Sequence, residues 1–152
     1  MDCEQTSQGV DVTQNLTYRV VVLASTLSRS AARALPREVG ISVAEWRVLS
    51  VIGSRPGISF NALVQTLDID KGWISRTLAQ LEKDGMVVKT ADPADRRQFQ
   101  LSLSQRGQTL HLKGSRVSQQ RQRHLESAFS RSDLRQLESL LDRLQQAAER
   151  LE

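Results

Sequence analysis

A single cysteine, Cys3, stands in the 152-residue chain, so no internal disulfide can form. It lies in a polar tail and reads as incidental, with thiol sensing or intermolecular bridging as the alternative. The two histidines, His111 and His124, are isolated, and no Cys/His spacing suits zinc. A glycine-rich phosphate loop and a nucleophile motif are both missing, which argues against an enzyme and for a protein without cofactor or metal. No apolar run approaches the roughly 20 residues needed to cross a bilayer. The N-terminal MDCEQTSQGVDVTQN is polar and lacks a signal-peptide core, so a cytoplasmic protein is expected, with no membrane partner.

What the chain does have is an ordinary globular balance, 39% hydrophobic and 25% charged, with a formal net charge of +4. That excess suits an anionic partner without identifying one. Its distribution says more. Residues 55–100 carry seven Lys or Arg against six acids, a net of +1, whereas residues 101–131 carry six cations against Glu126 alone, a net of +5. Any anion-binding role of the first segment therefore rests on placed cations. The second reads first as a solvated helix face, with contact to a nucleic-acid backbone as the alternative.

Leu16, Val20, Leu23 and Leu27 recur at helical spacing in a first helix that Pro36 should end or bend. Ser42 with Glu45 forms a capping box for a second, which puts Trp46, Leu49 and Ile52 near one face. Arg55-Pro56-Gly57 breaks the chain, and Ser59 can cap a short third helix carrying Leu63, Val64 and Leu67.

Asp70 marks the start of a fourth helix, in which Ile74, Leu78 and Leu81 turn one face inward and leave Lys71, Trp73, Ser75, Arg76 and Gln80 largely on others. Gly85 closes it. A strand over Met86–Val88, the turn Asp92-Pro93-Ala94-Asp95-Arg96-Arg97 and an alternating strand Phe99–Leu103 then make a hairpin with a cationic tip. A Ser-Arg pair on a helix, or an Arg-Arg turn, is by itself ordinary surface. A helix followed directly by a basic hairpin supplies a major-groove reader and a second anchor on one rigid unit.

Beyond the hairpin a polar-rich helical segment runs from Ser104 to Ala128 with sparse apolar anchors, in which Gly107 and Gly114 read as weak points. Ser130 and Asp133 start a last helix with the stripe Leu134, Leu137, Leu141, Leu144, Ala148 and Leu151. That stripe needs cover. The first and last helices are natural partners, within one chain or between two, and two-fold symmetric operators make a homodimer economical.

Over residues 16–151 the chain resembles the MarR family of winged-helix regulators. The resemblance rests on ISVAEWRVLSVI, on SFNALVQTLDIDKGWISRTLAQLEKDGMV as helix-turn-helix, and most specifically on the DPADRRQFQLSLSQRG wing. It implies a mainly α fold with a small β-wing. Residues 1–15 would be a flexible tail, 16–36 a dimerisation helix, 37–104 the winged helix-turn-helix DNA-binding lobe, and 105–152 the helices that complete the dimerisation region.

The function implied is that of a homodimeric transcription regulator, most often a repressor, on double-stranded DNA with a pseudo-palindromic operator. The alternative is a constitutive or architectural DNA binder. Carried onto this chain, Lys71, Trp73, Ser75, Arg76 and Gln80 are recognition-helix positions, Arg96 and Arg97 the wing tip, and Ser59 and Asn61 phosphate contacts. Asp92 or Asp95 would orient a wing arginine. Trp73 could equally pack against the wing or meet a base. The family senses small anionic or phenolic compounds, and by position Tyr18, Trp46, Arg47 and His111 are the candidates to line such a cleft. The peroxide sensors of the family use a cysteine in the first helix, whereas Cys3 lies before it.

Overall fold

The computed structural model describes residues 11–91 and 99–151. After a 3-10 turn at Val12–Gln14 come α1 (Leu16–Glu38), α2 (Val43–Ser54), β1 (Ile58–Ser59), α3 (Phe60–Leu67) and α4 (Lys71–Lys83). The antiparallel strands β2 (Val87–Ala91) and β3 (Phe99–Leu103) follow, then the long helices α5 (Gln105–Glu126) and α6 (Arg131–Glu149). Mainly helical with a small sheet, the fold is the expected one.

The helix starts are set by the expected side chains. Ser42 Oγ accepts from the Glu45 N–H at 3.2 Å while Glu45 Oε2 accepts from the Ser42 N–H at 2.7 Å, a closed capping box. Ser59 Oγ accepts from Ala62 N–H at 3.2 Å and Asp70 Oδ1 from Trp73 N–H at 2.8 Å. Each satisfies a first-turn donor that would otherwise have no partner in the helix. Asp68, at the turn between α3 and α4, adopts a left-handed φ of 48°, a conformation that aspartate tolerates better than most residues.

Pro36 neither ends nor breaks α1, which runs two residues beyond it. The missing N–H removes one helical bond near the end, and Val39 N–H still reaches the Leu35 carbonyl at 2.9 Å. Gly40, with φ at 81°, stops the helix.

The sheet has the order β1-β3-β2, with Ile58 opposite Leu101 and Lys89 opposite that same residue on the other side. The hairpin was expected; β1 was not. Around this sheet, Val48, Leu49 and Ile52 of α2, Leu63 of α3, Ile74 and Leu81 of α4 and Leu101 of β3 are fully buried in one core. α2 lies at its centre, against α3, α4, β3 and α5.

Gly107 and Gly114 are corrected from weak points to close-packing points. α5 is continuous through both, and both are buried. A methyl group on Gly107 would run into the Met86 carbonyl, and one on Gly114 would strike the Trp46 ring. Around Gly107 the start of α5 is fastened to the end of α4: Ser104 Oγ donates to the Gly85 carbonyl at 2.6 Å and Arg106 Nη1 to the Asp84 carbonyl at 2.9 Å.

The outer helices are different. On α1, Leu16, Val21 and Leu23 are exposed, and on α6 so are Leu137, Leu140 and Leu141. Both helices carry strongly one-sided apolar stripes whose faces this single chain leaves open.

Candidate nucleic-acid interface

The expected inward face of α4 is buried, so the rest of the helix is presented outward on a fixed platform. Lys71, Gly72, Ser75, Arg76, Ala79 and Gln80 are exposed, a stripe at spacings of three and four. Asn61 is exposed on the neighbouring α3, and Ser59, half-buried, starts that helix. The structure thus places Ser59, Asn61 and Ser75 together, around a cleft of about 370 Å³ between α3, α4 and the wing. Lys89 and Phe99 complete its wing side. Neither stands out in the sequence, where Lys89 follows a short apolar run and Phe99, 52% exposed in the fold, is one of the alternating apolar residues of its strand.

Two of the cations here, Lys71 and Lys89, have partners. Lys71 Nζ stands 5.8 Å from the centre of the Phe60 ring, a cation–π distance. Lys89 Nζ pairs with Glu82 Oε2 at 2.8 Å, and Gln80 Nε2 donates to Asp84 Oδ2 at 2.9 Å.

Among the described residues, Trp73 stands on the side of α4 away from the wing cleft. The wing side of α4 consists of Ser75, Leu78 and Ala79, whereas Trp73, Arg76 and Gln80 line a second groove with Ser42, Ala44 and Glu45 at the start of α2. The half-buried indole therefore joins the core from the α2 side. The wing-tip residues Arg96 and Arg97 and the supports Asp92 and Asp95 lie outside the described residues, as does Cys3.

The effector candidates separate into two groups. Trp46 and His111 are stacked between α2 and α5, with ring centres 5.8 Å apart and planes inclined by 23°. His111 fits there because Gly53 has no side chain to meet its ring. Tyr18 and Arg47 are exposed and take no part in the stack. A cleft that sequence reading missed, of about 330 Å³, opens between α1 and α5. Leu27 and Val117 give it an apolar side, while Arg37, Arg121 and His124 give it polar groups, with Arg121 Nη2 anchored on the Leu27 carbonyl at 3.2 Å. Its residues are far apart in sequence, so no local pattern announces it.

Among the described residues no cluster of His, Cys, Asp or Glu could hold a metal ion, and no helix is long and apolar enough to cross a membrane. The carboxyl groups of Asp133 and Asp11 are held below the ordinary aspartate range by hydrogen bonds from Ser130 and Thr13 respectively.

A three-helix lobe closed by an antiparallel hairpin, with an outward polar stripe on its last helix, defines a winged helix-turn-helix protein. The MarR family model matches residues 39–98, the lobe itself. A solved MarR/EmrR family transcriptional regulator from Acinetobacter sp. ADP1 superposes with a TM-score of 0.84 at 26% identity, covering 93% of this chain and 99% of that one. The chain is thus similar to MarR family regulators, by sequence over residues 39–98 and by fold over most of its length.

Its sequence is 33% identical over 79 residues to a putative transcriptional regulatory protein for the hcr operon of Thauera aromatica, a match over 52% of this chain and about half (48%) of that relative's length. The fold is also that of the transcriptional repressor CouR bound to a 23-mer DNA duplex, with a TM-score of 0.78 at 22% identity over 89% of this chain and 95% of that one.

Proposed function

We propose that the chain is a homodimeric, sequence-specific DNA-binding transcription regulator that acts as a repressor and is released by a small anionic or phenolic ligand. The observation that carries the reading is the outward stripe of α4, which offers Lys71, Ser75, Arg76 and Gln80 from a helix whose opposite face is buried. Donors of these types read base edges and phosphates. Ser59 and Asn61, across the cleft from Ser75, contact the phosphate backbone. Arg96 and Arg97 reach the adjacent minor groove, steadied by Asp92 or Asp95.

Dimerisation is supported by the apolar residues that α1 and α6 leave in solvent, since monomeric soluble proteins rarely expose large contiguous apolar patches. In the dimer, residues 16–36 and 105–152 interlock and set the spacing of the two reading helices. A ligand held between α1, α2 and α5 shifts that spacing, to the extent that it binds one form better than the other. The basic and apolar cleft between α1 and α5 suits an anionic compound. The modest charge of the lobe favours selective reading over architectural binding, which relies on phosphate attraction.

Electrophoretic retention of the DNA upstream of the chain's own gene tests the reading. Retention that survives excess unrelated duplex is expected. Equal competition by any duplex would leave only a non-specific binder.

A further inference from the structure

Gly72 is exposed, lies in the first turn of α4, and is not among the glycines with positive φ. The backbone there would accept any residue, and glycine weakens a helix relative to alanine. Local structure therefore gives no reason for it, but its surroundings do. From the point where a Cβ on Gly72 would stand, Arg76 Nη1 is 3.4 Å away and Asp70 Oδ1 is 3.2 Å away. The guanidinium of Arg76 thus leans back one turn to the space over the bare α-carbon, a space also bordered by the carboxylate that caps the helix.

We propose that Gly72 determines specificity: it is the seat for the Arg76 guanidinium, from which the arginine meets a guanine edge over the first turn of α4. The inference rests on α4 being the recognition helix. A bidentate contact to guanine O6 and N7 needs the arginine aimed as well as present. A bare first turn also lets the helix end approach the bases closely. A methyl group at Gly72 would touch Arg76 at an ordinary distance, whereas a longer side chain would occupy its place.

The test is selection from a random-sequence duplex library with the full chain, alongside Gly72→Ala, Gly72→Leu and Arg76→Ala. Gly72→Leu should lose about tenfold or more in discrimination at the same base pair that Arg76→Ala loses. Any fall in its thermal midpoint should be no greater than that of Gly72→Ala, since both place a Cβ 3.2 Å from the capping Asp70 Oδ1. Gly72→Ala should keep the preference of the parent. Undiminished discrimination by Gly72→Leu, or loss at other base pairs only, overturns the inference. A parent chain that enriches no sequence overturns the recognition-helix reading instead.

Discussion

The lobe and the outer helices treat the same residue type in opposite ways. In the lobe Leu49, Leu63 and Leu81 reach 0% exposure, while Leu23 on α1 and Leu141 on α6 stand at 58% and 53%. One region completes its core from its own chain. The other leaves its apolar faces in solvent. The core of the winged helix is therefore complete within a single chain, whereas the outer helices are not covered by it.

The sharpest way to break this contrast is one substitution made in both places. Leu49→Ala should cost about 2–5 kcal/mol by urea denaturation, because a cavity opens in a filled core. Leu141→Ala should leave the unfolding of dilute monomer within about 0.5 kcal/mol of the parent, as an exposed site does. Equal losses in dilute monomer would show that α6 is already packed.

Next in size is charge placed on the open stripe. Leu137→Arg with Leu141→Arg should give folded monomers by sedimentation velocity. Their operator affinity should fall by about a hundredfold or more, since the second site no longer binds as part of one molecule. A dimer that survives both arginines would relocate the interface.

Within the lobe, Arg76→Ala should relax preference at one base pair by about 1–3 kcal/mol in competition binding. Arg97→Ala should weaken all duplexes by similar factors and reduce the salt slope by about one. Identical behaviour would remove the division between reader and anchor.

The smallest effect belongs to Asp133 in the capping box of α6. Its carboxyl is held below the ordinary range by Ser130, so its contribution is present above the unfolded aspartate value and lost as pH falls through the lower folded one. Acid should fray the start of α6, and Asp133→Asn should abolish that response, read by circular dichroism between neutral pH and about pH 3.

Local chemistry made much of this legible. The caps at Ser42, Ser59, Asp70 and Ser130 each act within three residues, and the buried stripe of α4 follows from helical period alone. The strand Ile58–Ser59 escaped because two residues have no period, and only pairing with Leu101 and Gln100 defines it. Gly107 and Gly114 were misread for a related reason. Their meaning lies in the Met86 carbonyl and the Trp46 ring, which sequence distance hides. The side of α4 on which Trp73 packs is likewise settled by the start of α2.

The fastening of α5 to α4 gives the long helix a lever arm. At about 1.5 Å per residue its 22 residues reach about 33 Å, so a tilt of about 5° about the joint at Gly107 moves the far end by about 3 Å. A displacement of about 3 Å at the outer end of α5 thus corresponds to a tilt of only about 5° at the joint, where the helix is fastened to the end of α4 through Asp84 and Gly85.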